Sequence, residues 1–179
     1  MTTCIPFFFK PIKYNNDYYI DGGILCMMPF IKKYKKLLVK LNEDFTELLA
    51  LIDGLVLLGE VTSRSMDYLI SFGERLSIKL IAAAINDLSK KSISLTGKEV
   101  GIVTDSNFGE SKPLIDTTRL RVSKSIDNLF SKKVIPVIGG FSGADQHGHT
   151  TTFGRGGSDY SATIIGSCIK ADEIWLMSD

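Results

Sequence analysis

The chain has 179 residues, 44% of them hydrophobic and 23% charged, enough to bury the core of one domain. Its formal net charge of +1 gives no field to steer nucleic acid or anionic lipid, and it holds no run of about 18 apolar residues that would cross a membrane. The three cysteines, Cys4, Cys26 and Cys168, are odd in number and sit in apolar surroundings, which predicts reduced, packed thiols in a cytoplasmic protein.

The start, Met1-Thr2-Thr3-Cys4-Ile5-Pro6, has no basic region and no cleavage site, so no signal peptide is expected. Ile5 to Lys13, a polar turn at Asn15-Asn16-Asp17, and Tyr18 to Gly23 read as two short extended pieces. Asp21-Gly22-Gly23 sets a carboxylate in a sharp bend. On these residues the segment 1–34 resembles the C-terminal part of the patatin-like phospholipase catalytic domain, where Ile-Pro-x-x-Phe leads to Tyr-x-Asp-Gly-Gly. The resemblance implies that Asp21 matches the aspartate that activates a nucleophilic serine. The sequence has no Gly-x-Ser-x-Gly elbow, and Cys26-Met27-Met28 stands where that family has asparagines. A base without its nucleophile cannot carry acyl transfer. The segment therefore reads as a fused or relict piece, not an independent domain, and an acyl hydrolase is the weaker alternative. Lys32, Lys33, Lys35 and Lys36 read as a solvated helix end.

Leu37, Leu41, Phe45, Leu48 and Ile52 recur at helical spacing, with Glu43, Asp44 and Glu47 on the other side. Asp53-Gly54 is expected to end or bend that helix. Ser71-Phe72-Gly73-Glu74 is expected to break one short helix and start another, whose buried stripe would be Leu76, Leu80, Ile81, Ala84, Ile85 and Leu88. Lys98 to Asp105 reads as a strand ending in a turn. Without a wider pattern, Glu74 is a first-turn residue that complements the helix dipole.

Pro113 and Asp116 precede a predicted helix with Val122, Ile126 and Leu129 inward. Val134 to Ile138 is a strand, and Gly139 to Gly143 its exit loop. Asp145-Gln146 reads as a solvated tip. His147 and His149 flank a glycine without a Cys or carboxylate partner at ligand spacing, so they read as loop residues and no metal site is expected. Next comes a glycine-rich loop, Gly154-Arg155-Gly156-Gly157, with Ser158 and Asp159 as N-caps of a helix whose apolar face is Tyr160, Ile164, Ile165, Cys168 and Ile169. Glu173 to Met177 reads as a buried strand. A helix N-terminus facing such a loop is built to hold an anion, with Arg155 as a forked donor. The alternation of strand and helix predicts an α/β fold, a parallel sheet covered by helices on both faces. Its ligand edge would gather Asp105, Gly139-Gly140 and Gly154 to Gly157.

Two patterns carry a resemblance over residues 37–179. Thr150 to Ala162 is similar to the central signature of aspartate kinases, and Arg64, Asp67, Gly73 and Glu74 resemble that family's Asp-x-x-x-Ser-x-Gly-Glu pattern. Asp105 with Phe108-Gly109 resembles its following loop. The resemblance implies a three-layer sheet of the amino-acid kinase type over residues 35–179, partial, preceded by a short irregular or β segment. It implies ATP-dependent phosphorylation of the side-chain carboxylate of L-aspartate, the first step towards lysine, threonine and methionine, with ATP and Mg²⁺. Arg155 and Asp159 would be catalytic, Arg155 clamping the substrate carboxylate. Glu74 and Asp159 would hold the substrate ammonium, beside Gly156, Gly157 and Ser158, and Ser178 and Asp179 would begin the nucleotide site. A homo-oligomer is the partner this family suggests, with no nucleic acid and no membrane. Nothing in the sequence matches the family's Lys-Phe-Gly-Gly-Thr-Ser turn, so impaired turnover is expected. A non-catalytic fused or relict fragment is the alternative.

Overall fold

The computed structural model describes residues 12–14, 17–19 and 35–177. By its contacts the chain divides into two units, residues 1–42 and 43–179. In the first, β1 (Ile12–Tyr14) and β2 (Asp17–Tyr19) pair antiparallel, with Ile12 opposite Tyr19. Asp17, expected in the turn, opens the second strand. Asp21, Cys4 and Cys26 lie outside the described residues.

Helix α1 (Lys35–Leu58) runs through Gly54, where the sequence suggested a stop. One glycine costs a helix only about 1 kcal/mol, less than the ladder around it returns. The stop comes at Gly59, in the left-handed region at φ 69°, whose N–H bonds Leu55 O at 3.0 Å. Helix α2 (Ser63–Asp87) is likewise continuous through Ser71 to Glu74. Thr62 and Ser65 cap it reciprocally, so its start is encoded locally.

Its buried face differs from the expected apolar stripe. Asp67, Ser71, Phe72, Ile78 and Ala82 are inside, whereas Ile81 is exposed and Leu88 is 75% exposed. Two of the buried side chains are polar and hydrogen-bonded, so apolar periodicity could not reveal the face. Charged groups join α1 to α2: Arg75 Nη2 donates to Asp44 at 2.8 Å and to Glu47 at 2.7 Å, and Lys79 also pairs with Asp44.

After β3 (Ser92–Leu95), residues 97–100 form the single turn α3 (Gly97–Val100) rather than the start of a strand. Thr96 and Glu99 make a second capping box, a helix signal four residues long that outweighs β-propensity. The strand proper, β4 (Val103–Thr104), is two residues long. Helix α4 (Ile115–Ser131) buries Thr118, Val122 and Ile126, with Leu129 half-buried. The Thr118 hydroxyl both accepts from Val103 N and donates to Val103 O, each at 3.0 Å, fixing the helix to β4.

Strand β5 (Ile135–Ile138) pairs parallel with β3, Leu95 beside Ile138. Residues 142–145, expected in a loop, form β6 (Ser142–Asp145), parallel to β4. β7 (Thr150–Thr152) returns antiparallel to β6, and α5 (Gly157–Ile169) follows. α2 lies along β3, β5 and β7, while α4 and α5 pack on each other and on the strands, giving an α/β layering with one antiparallel hairpin added to the parallel pairs.

The core joins Val100, Ile102, Val122, Ile126, Phe153, Ile164 and Cys168. Burial pushes the Cys168 thiol upward, with Arg119 pulling weakly the other way, so it is a packed, protonated group. The expected strand at 173–177 is not formed. No described strand pairs with it, and Trp175 is 77% exposed. An apolar run without a ladder for its N–H and C=O groups gains nothing from extending. Among the described residues no helix is long and apolar enough to cross a membrane.

Candidate functional site

Glu74 leaves α2 half-buried, and the Gly140 N–H in the turn after β5 lies near enough to its carboxylate to favour the charge. Burial pushes its pKa above the ordinary carboxylate value, and the Gly140 N–H offsets only part of that. The two glycines leave room on both sides. A Cβ on Gly139 would lie 3.6 Å from the Glu74 Cβ, and one on Gly140 only 2.9 Å from Ser158 Oγ. Glu74 thus lies against one glycine of this turn, and Ser158 in the first turn of α5 lies against the next. A cavity of about 270 Å³ opens beside Glu74, lined also by Tyr68, Lys98, Gly139, Ser142 and Thr150.

The glycine-rich loop is pinned before it turns. Phe153 N donates to Phe141 O at 3.0 Å, and Phe141 N donates to Ser161 Oγ at 3.1 Å. Gly156, at φ 71°, is the N-cap of α5, a left-handed position that a Cβ would strain. Ser158 and Asp159, expected as caps, instead lie in the first turn. No side chain caps this end, so the positive end of the helix dipole stays open to an anion. Arg155, Ser158 and Asp159 are all exposed, and Gly157 is buried against Phe141. Ser178 and Asp179 lie outside the described residues.

Asp145 corrects the sequence reading most sharply. It is 5% exposed, not a solvated tip, because β6 carries it inward. Burial alone would raise its pKa. The His149 N–H, the His149 ring, Ser106 and the imidazole charge outweigh that and hold it at about 2. His147 N and His149 N donate to Oδ1 at 2.9 and 2.8 Å, and His149 Nδ1 lies 3.0 Å from Oδ2. These histidines close the β6–β7 hairpin. Among the described residues no group of three or more His, Cys, Asp or Glu side chains could hold a metal ion.

Asp105 accepts from Asn107 N at 3.2 Å and Lys112 N at 3.0 Å, shaping its own loop. Asp67, which sequence reading placed in one pattern with Glu74 but without a role of its own, is 1% exposed and bonded to Gly109 and Thr152. The available signal was its spacing: seven residues before Glu74, on the same face of a helix.

Residues 28–179 match the amino acid kinase family. The chain is 38% identical over 131 residues to aspartokinase 3, chloroplastic, of Arabidopsis thaliana, covering 72% of this chain and 23% of that one. It is 44% identical over 117 residues to an aspartokinase of Helicobacter pylori, covering 65% and 27%. The chain thus spans about a quarter of the length of these curated relatives. Among solved structures, E. coli aspartokinase III in complex with aspartate and ADP (R-state) superposes with a TM-score of 0.69 at 23% identity, over 75% of this chain and 29% of that one. At that identity the likeness is one of fold.

Proposed function

The chain belongs to the amino acid kinase family, and on that premise we propose that it carries the aspartate-binding part of an aspartate kinase. The reaction would transfer the γ-phosphoryl group of ATP to the side-chain carboxylate of L-aspartate. The observation that carries this reading is the pair of adjacent glycines after β5, Gly139 with Glu74 against it and Gly140 with Ser158 of the first turn of α5 against it. A half-buried carboxylate whose charge is opposed by burial gains most from a cation beside it, and the substrate ammonium supplies one. Asp159 would be its second partner. Arg155, exposed on its loop, would hold the substrate's α-carboxylate by two parallel bonds, with Gly156, Gly157 and Ser158 offering backbone donors at the open helix end. The side-chain carboxylate is then the part of the substrate left free to react.

Phosphoryl transfer is chiefly positioning and charge neutralisation, which is what such a clamp contributes. Ser178 and Asp179 would begin the nucleotide site. Mg²⁺, an ion bound mainly by nucleotide phosphates and water, would neutralise phosphate charge when bound with the nucleotide. A cytoplasmic homo-oligomer is part of the proposal. A fold that binds aspartate without turnover is the second reading.

Calorimetric titration with aspartate tests the substrate half. Binding in the parent is expected, and Arg155→Lys should weaken it ten- to a hundredfold, since one charge-assisted hydrogen bond is worth about 1.5–3 kcal/mol. No heat at millimolar aspartate from the folded chain would end this reading. ATP-dependent aspartyl phosphate, trapped as the hydroxamate, separates the enzyme from the binder.

A further inference from the structure

The Asp67 carboxylate accepts three hydrogen bonds. Gly109 N and Thr152 N both donate to Oδ2 at 2.9 Å, and the Thr152 hydroxyl donates to Oδ1 at 2.8 Å. The partners lie 42 and 85 residues away in sequence. Each segment so tied leads to the proposed site. Asp67 precedes Glu74 by two helical turns, so both leave α2 on one face. Thr152 ends β7, three residues before Arg155. Gly109 carries the turn itself, since a Cβ on Gly154 would stand 3.2 Å from Gly109 O. Ser111 closes the unit, its N and Oγ donating to Thr152 O at 2.8 and 2.9 Å.

An apolar side chain at position 67 would pack α2 on β7 without desolvating a charge. It would also tolerate small slips of one against the other. A buried carboxylate met by three directed donors permits one register only. We propose that Asp67 is a positioning residue that sets α2, which carries Glu74, against the loop that carries Arg155. It thereby fixes the spacing between the groups that would hold the ammonium and the carboxylate of the substrate. For its ligand the proposal rests on the aspartate reading above, and for its structure on the three bonds alone.

The test uses the full chain with Asp67→Asn, which keeps the shape, removes the charge that strengthens all three bonds and forces the Thr152 hydroxyl to turn round and accept. Thr152→Val removes only the hydroxyl bond, and Thr152→Ser is the conservative control. Backbone amide exchange by NMR and aspartate affinity by calorimetry are read on each. In Asp67→Asn the amides of Gly109, Ser111, Thr152 and Gly157 should exchange at least tenfold faster while those of α4 keep parent rates. Aspartate affinity should fall tenfold or more, with Thr152→Val between the two and Thr152→Ser like the parent.

Unchanged affinity beside a parent that binds aspartate overturns the positioning role. So does faster exchange spread evenly through α4 and the core, the mark of a general loss of stability. A parent that binds no aspartate sinks the substrate reading instead. The exchange pattern then decides on Asp67 by itself, local acceleration supporting the register role and its absence overturning it. Should Asp67→Asn fail to fold, Thr152→Val is judged by the same criteria.

Discussion

Glu74 and Asp145 are both carboxylates held away from water, and their surroundings drive them in opposite directions. Burial dominates at Glu74 and raises its pKa, so the folded chain holds this proton to a higher pH than the unfolded chain does. Its contribution to stability is complete below the unfolded pKa and is lost as pH rises through the folded value. Glu74→Gln keeps an oxygen for the Gly140 N–H and removes the opposed charge. At pH 7 the variant should melt no lower than the parent while its aspartate affinity falls at least tenfold, measured by thermal unfolding and calorimetry. A lower melting point with affinity retained would make Glu74 a brace. At Asp145 the donors win, taking the pKa from an ordinary 3.8 to about 2. Its contribution is present above the unfolded value and is lost as pH falls through the folded one. Urea unfolding between pH 5 and 2 should show a loss between those values that Asp145→Asn, less stable at pH 7 by roughly 1–3 kcal/mol, no longer shows. A variant with the parent's acid profile would remove Asp145 from the account.

The two long helices are the elements where local signals misled. Gly54 and Gly73 both read as punctuation, and both lie inside unbroken helix. A Cβ at either position meets nothing within 4 Å. Gly54→Ala and Gly73→Ala should each therefore raise the free energy of unfolding by roughly 0.5–1 kcal/mol, from helix propensity and a less flexible unfolded chain. Urea titration checks this. A loss at either site would mean that the helix is interrupted there in solution. The local signals that sequence reading passed over were caps with a mechanism. Thr62 with Ser65 starts α2, and Thr96 with Glu99 starts α3, a turn that periodicity had assigned to a strand.

For the molecule as a whole, a ligand held between α2 and α5 links elements from the two ends of the second unit. Aspartate should then stabilise the fold as well as bind to it. At a hundred times its Kd the gain is about 2.7 kcal/mol, a rise in melting temperature of roughly 5–10 °C for a chain of this size. Asparagine, without the second carboxylate, serves as the comparison. An unmoved midpoint at saturating aspartate would count against a site between these elements.

The sequence by itself determined the α/β alternation, the apolar faces of α4 and α5, and the two patterns around Glu74 and Arg155. Each of these is written in residues a few positions apart, where backbone geometry alone sets what neighbours what. Only the tertiary structure decided that Glu74 lies against Gly139 and Ser158 against Gly140, that Asp67 and Asp145 are buried, and that residues 173–177 form no strand. A buried carboxylate is stable only where donors converge on it, and those of Asp67 come from 42 and 85 residues away. A strand likewise needs a partner's ladder, whatever its own propensity. Such partners leave no trace in local spacing, so polar groups that read as solvated in the chain become fixed points of the fold.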